Sequence, residues 1–94
     1  MRGTSLEQLK ACFDLAKATR ARYVAVKISM EGFPKEEVII NPSANFDKKL
    51  EYYSNAYNED LTLKANPNIK ITAFTYAETY EEIRKEFYYD NLEK

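Results

Sequence analysis

The chain has 94 residues, 45% hydrophobic, 14% aromatic and 31% charged, with a formal net charge of -1, two Gly and three Pro. That composition excludes a disordered, collagen-like or low-complexity chain and predicts one domain spanning 1–94, small enough that its core must be used efficiently. No His or Trp is present and Cys12 is the only cysteine, which excludes Ser-His-Asp and Cys-His catalysis, a disulfide framework and a cysteine-based zinc site within one chain.

The first predicted element is a helix over about 5–20. Thr4 with Glu7, or Ser5 with Gln8, supplies a capping box, and Leu6, Leu9, Cys12, Phe13 and Ala16 recur at helical spacing. On that stripe Cys12 reads as a small hydrophobe rather than a reactive thiol. Residues 22–30 switch to period two, with Val24, Val26, Ile28 and Met30 on one face and Tyr23, Ala25, Lys27 and Ser29 on the other. Glu31-Gly32-Phe33-Pro34 predicts a reversal, and the strand-forming run Val38-Ile39-Ile40 predicts a second strand over 37–41 in an antiparallel hairpin.

A helix over 45–58 follows, capped by Ser43 or Asn45, with Phe46, Leu50, Tyr53 and Tyr57 as its apolar stripe. Leu61-Thr62-Leu63 is either a very short strand or a loop end, and Asn66-Pro67-Asn68 reads as a turn. Residues 69–76 alternate as a strand, with Ile69, Ile71 and Ala73 opposite Lys70, Thr72 and Phe74. Thr79-Tyr80-Glu81-Glu82 caps a last helix over 79–90 that carries Tyr80, Ile83 and Phe87. The predicted fold is α+β in two layers, a small and mainly antiparallel sheet covered by three helices. Its expected core joins Leu9, Phe13, Val26, Ile28, Leu50, Ile71, Ile83 and Phe87.

Apolar runs never exceed a few residues and no basic segment leads into one, so neither a membrane span nor a signal peptide is expected, and the location expected is cytoplasmic. Charge is uneven, a net +4 over residues 1–35 and -5 over residues 36–94. Helix-end complementarity accounts for part of this: Lys17, Arg20 and Arg22 follow the first helix, and Glu78, Glu81 and Glu82 begin the last.

Eight Tyr need placing. Tyr23, Tyr53, Tyr57, Tyr76 and Tyr80 fit buried or half-buried positions, whereas Tyr52, Tyr88 and Tyr89 fall off their helices' apolar stripes and are candidate contact residues. Phe33 is a further candidate, since an aromatic beside Gly and Pro at a loop tip either tucks under its own hairpin or meets a partner. Lys35 and Glu36 would form its rim. A nucleic-acid platform on Tyr23, Lys27 and their strand neighbours lacks a ribonucleoprotein motif and a basic footprint, so nucleic acid is not expected. Gly3 and Gly32 do not start a phosphate loop, and Asn55, Asn58, Glu59 and Asp60 lack the spacing and Gly of a calcium loop. No catalytic, cofactor-binding or metal-binding residue is singled out, and no cofactor is expected.

The stretches Val24-Ala25-Val26-Lys27-Ile28-Ser29-Met30-Glu31-Gly32-Phe33-Pro34, Ile40-Asn41-Pro42 and Asn45-Phe46-Asp47-Lys48-Lys49-Leu50 resemble small uncharacterised proteins carried by phages and prophages of low-GC Gram-positive bacteria. The resemblance implies a context rather than a chemistry: short acidic phage proteins are often inhibitors or adaptors of host proteins, anti-defence proteins among them. The leading expectation is therefore a non-enzymatic accessory protein that occupies the surface of a host or phage protein. A small-ligand binder, such as a sponge for a nucleotide signal, and a structural homo-oligomer are the alternatives.

Overall fold

In the computed structural model, whose described residues are 5–87, the first helix α1 spans Leu6–Thr19. Ser5 is its N-cap, the side chain accepting the Gln8 N–H at 3.2 Å. No glycine ends the helix. Arg20 takes the left-handed conformation instead, at φ 60°, while Ala21 N–H closes back on the Ala16 carbonyl at 2.9 Å.

Strand β1 (Tyr23–Met30) pairs antiparallel with β2 (Glu37–Pro42), with Val26 opposite Ile39. At the top of β1, Phe33 N–H bonds the Met30 carbonyl at 3.0 Å. That turn places Gly32 at φ 90°, which an L side chain rarely adopts. A single 3-10 turn, Ser43–Asn45, leads into α2 (Phe46–Ala56). Asn45 is the N-cap but makes no side-chain capping bond, so neither expected cap residue works through its side chain. The chain then forms the two-residue strand β3 (Thr62–Leu63), the long strand β4 (Asn66–Ala77) and α3 (Tyr80–Phe87). Thr79 accepts the Glu82 N–H at 3.2 Å, and the Glu82 carboxylate accepts the Glu78 N–H at 2.8 Å. Strand order is β2-β1-β4-β3, antiparallel throughout.

The expected α+β domain is thus present, with the short strand resolved in favour of pairing. The expected turn at Asn66-Pro67-Asn68 is instead the irregular start of β4. Leu63 pairs with Asn66 but Thr62 pairs with Lys70, so residues 67–69 bulge out of the ladder. Pro67 therefore sits where no ladder donor is needed, and Asn66 Oδ1 accepts the Asn68 N–H at 3.1 Å.

The sheet is covered on both faces, so a two-layer picture is incomplete. On one face Leu6, Leu9, Cys12, Phe13 and Ala16 of α1 and Phe46 and Tyr53 of α2 pack on Val24, Val26, Ile71 and Phe74. On the other face Ile83 and Phe87 of α3 pack on Ala25, Ala73 and Ala77. The expected single core is corrected accordingly. Leu9, Phe13, Val26 and Ile71 share one cluster, with Ile28 and Leu50 half-buried beside it, whereas Ile83 and Phe87 belong to a second cluster across the sheet. Phe74 is also corrected. A register shift between Lys27 and Ile28 changes the phase of β4, so Ile71 and Phe74 face the same helices although the alternation read from sequence put them on opposite faces.

Between α2 and β3, Leu61 is wholly buried yet sits at φ 71°. Its N–H donates to the Asn58 carbonyl at 2.9 Å and its carbonyl accepts the Ile71 N–H at 3.0 Å. Asp60 steadies this bend by accepting the Thr62 N–H and hydroxyl at 3.1 and 2.6 Å, and those bonds hold its carboxyl below the usual carboxylate range. This is a turn role for a residue weighed as a cation ligand.

Candidate functional site

The β1–β2 hairpin tip is fixed from its base upward. Glu31 N–H donates to the Asn68 carbonyl at 2.9 Å, tying the tip to β4, and the Gly32 turn then projects Phe33 outward. Phe33 is 65% exposed, the highest exposure among the large apolar side chains of the described residues. It is not tucked under its hairpin. Lys35 is exposed beside it.

Glu36 is committed to its own sheet. It is half-buried, its carboxylate 3.4 Å from Lys27 Nζ, and it accepts the Thr72 hydroxyl at 2.9 Å. Lys27 Nζ also lies 5.3 Å from the Phe87 ring centroid, so the strand and α3 share one cation. These contacts lie at the β1–β4 register shift and brace the base of the tip. The face weighed and disfavoured as a nucleic-acid platform is occupied by α3 over Tyr23 and Ala25, and Phe74 lies in the opposite core.

Tyr52 belongs to another surface. It is 48% exposed on α2, its ring 5.3 Å from Tyr53 and 6.4 Å from Tyr57, with Lys49 Nζ 5.2 Å above it. Its exposed ring is the outer member of an aromatic group whose inner members are core. Tyr88 and Tyr89 lie outside the described residues. Of the tyrosines assigned to buried or half-buried positions, Tyr53 and Tyr57 are buried and Tyr23 half-buried, but Tyr76 and Tyr80 are 37% and 53% exposed. Both stand at ends of their elements, where core lies on one side only; Tyr80 opens α3 and rests on the Tyr23 ring at 5.1 Å.

Two adjoining depressions share Ser43. One, of about 320 Å³, runs between Ala16, Lys17, Arg20, Ser43, Phe46 and Asp47; the other, of about 290 Å³, lies against Arg22, Tyr23 and Pro42. The first has a buried apolar floor of Ala16, Ala21 and Phe46 with its polar side chains at the rim, where Lys17 pairs with Asp47, whereas the second is lined by exposed and half-buried residues. Neither Arg20 nor Arg22 is ion-paired among the described residues. Cys12 is buried, and that burial pushes its thiol up to about 11, so at neutral pH it is protonated and shielded. Among the described residues no helix is long and apolar enough to cross a membrane.

The arrangement presents two exposed aromatics on separate surfaces, Phe33 on a braced tip and Tyr52 on α2. Comparison with protein-family models, curated proteins and solved structures finds no match.

Proposed function

We propose that this chain is a non-enzymatic protein-binding module that acts by occupying a partner protein's surface, with Phe33 as the anchor. The supporting observation is the contrast at the hairpin tip, where a 65% exposed aromatic ring stands on a backbone tied to β4 at Glu31 and closed back on Met30 at Phe33. Exposing such a ring to water is unfavourable in the free protein. Burying it in a complex recovers about 1.5–3 kcal/mol, and the braced backbone keeps the ordering cost low. Lys35 would take the rim, with Glu36 serving as support through Lys27 and Thr72. In its finer form the proposal makes the chain a phage or mobile-element accessory that inhibits or adapts a host protein, which rests on the sequence resemblance.

The test is Phe33→Ala, read in parallel by melting temperature and by affinity capture from host-cell extract against the parent chain. The expected result is an unchanged melting temperature with specific capture lost. A lowered melting temperature with capture intact would make Phe33 a packing residue and overturn the proposal.

A further inference from the structure

Among the described residues β2 is an edge strand, and the ladder fixes which of its backbone groups point away from β1. Ser43 N–H donates to the Arg22 carbonyl at 2.9 Å, in register with the β1–β2 ladder. Bonded pairs alternate in an antiparallel ladder, so Val24–Asn41, Val26–Ile39 and Ile28–Glu37 are the bonded pairs. The N–H and C=O groups of Val38 and Ile40 therefore point away from β1 along the open edge. Pro42 falls on that outward set, where its missing donor takes nothing from the β1 ladder. The side chains match this opening. Val38, Ile39 and Ile40 are consecutive β-branched residues, all half-exposed, and Val38 and Ile40 only partly cover the α3-side cluster. Among the described residues, no inward charge or bulge blunts this stretch in the manner usual for edges.

We propose that two copies of this chain pair β2 against β2, antiparallel across a two-fold axis at Ile39, joining the two four-stranded sheets into one. In that register Val38 lies opposite Ile40 of the second copy, so the free donors and acceptors of both residues bond in both directions. Ile39 meets its own counterpart as the unbonded pair on the axis. A one-residue slip would set outward-facing groups against inward-facing ones and reverse one sheet. A slip of two residues one way puts Glu36 and Glu37 against Ile40 and Ile39. The same slip the other way puts Val38 against Pro42, which has no N–H to give. In the favoured register Glu36 and Glu37 face Pro42 and Asn41 of the second copy, so no like charges meet. The net charge of -1 opposes self-association little.

This pairing is independent of the Phe33 proposal, and Phe33→Ala leaves it unchanged. Sedimentation of the full chain across a dilution series is expected to show the 11.0 kDa mass doubling as concentration rises. Ile40→Lys, checked for an unchanged melting profile, is expected to shift that midpoint to higher concentration. Mild oxidation tests the register without relying on that variant. Ile39→Cys is expected to give a linked dimer, because an unbonded antiparallel pair has Cα atoms about 4.5 Å apart, inside the disulfide range. Val38→Cys is expected not to link, because its counterpart lies diagonally at roughly 7–8 Å. Buried Cys12 stays out of the reaction. A monomeric mass at every concentration, or Val38→Cys linking as fast as Ile39→Cys, overturns the proposal.

Discussion

Asn41 is the one buried polar residue in the described structure, 1% exposed on β2 between the sheet and α2. Its Nδ2 donates to the Val24 carbonyl at 3.0 Å and to the Tyr53 hydroxyl at 3.5 Å, the second at the weak limit of a hydrogen bond. Tyr53 is itself 1% exposed. Asn41→Ala strips the phenol of that donor and opens a small void, which together cost about 2–4 kcal/mol. In a domain of this size that lowers Tm by roughly 10–25 °C, a large share of a typical 5–15 kcal/mol stability. Tyr53→Phe removes only the hydroxyl, while Asn41 keeps the Val24 carbonyl, so its cost is about 0.5–1.5 kcal/mol. The paired change Asn41→Leu with Tyr53→Phe removes both polar groups at similar volume and is expected to be nearly neutral, less damaging than Asn41→Leu alone. Urea denaturation of the four proteins yields the coupling directly. If Asn41→Leu and Tyr53→Phe add to within about 0.3 kcal/mol, the two side chains do not communicate and the reasoning fails.

Stability is expected to hold to about pH 9 and then fall to about pH 12, because burial pushes Cys12 from 9.0 up to about 11 and Tyr53 from 10.0 up to about 12, so the unfolded chain releases these protons first. Urea midpoints across that range check this: Cys12→Ala removes the earlier part of the decline and Tyr53→Phe the later part, and an unchanged slope in both refutes it. Ile71→Val and Ile83→Val each cost about 0.5–1.5 kcal/mol and are expected to add, since they lie in separate clusters across the sheet. Ile71→Val with Ile28→Val, paired residues on one face, is expected to depart from additivity, and thermal melts of the single and double variants decide both cases.

Most elements were legible because their signals are local. Ser5 and Thr79 act as helix caps, and the alternation of Tyr23–Met30 marks β1 without ambiguity. The division of helices between the faces was less visible. Periodicity puts Tyr23, Ala25, Lys27 and Ser29 on one face of β1 without naming which element covers it, and Ala25, Ala73 and Ala77 are the small residues that let α3 approach closely. Those alanines were the available signal. The phase change in β4 had none, since no Gly marks the shift beside Thr72. The exposure of Phe33 is not legible locally, because it depends on how the Gly32 turn sits against Asn68, a contact between segments far apart in the chain. The open edge of β2 needed strand order as well as strand identity, and order is a tertiary property.

Leu61 brings two demands onto one residue, a left-handed backbone and a filled core position. They narrow the set of side chains the position accepts. Glycine satisfies the backbone and empties the core; valine or isoleucine fills the core, but a branched β-carbon makes the left-handed conformation harder still. Asparagine tolerates the backbone but brings an amide into an apolar site. What remains is an unbranched β-carbon carrying an apolar end, which is leucine or methionine. In a library of random substitutions at 61, survival is therefore expected to demand an unbranched Cβ as well as an apolar end, so that isoleucine, leucine's isomer and equal in hydrophobicity, is among the excluded.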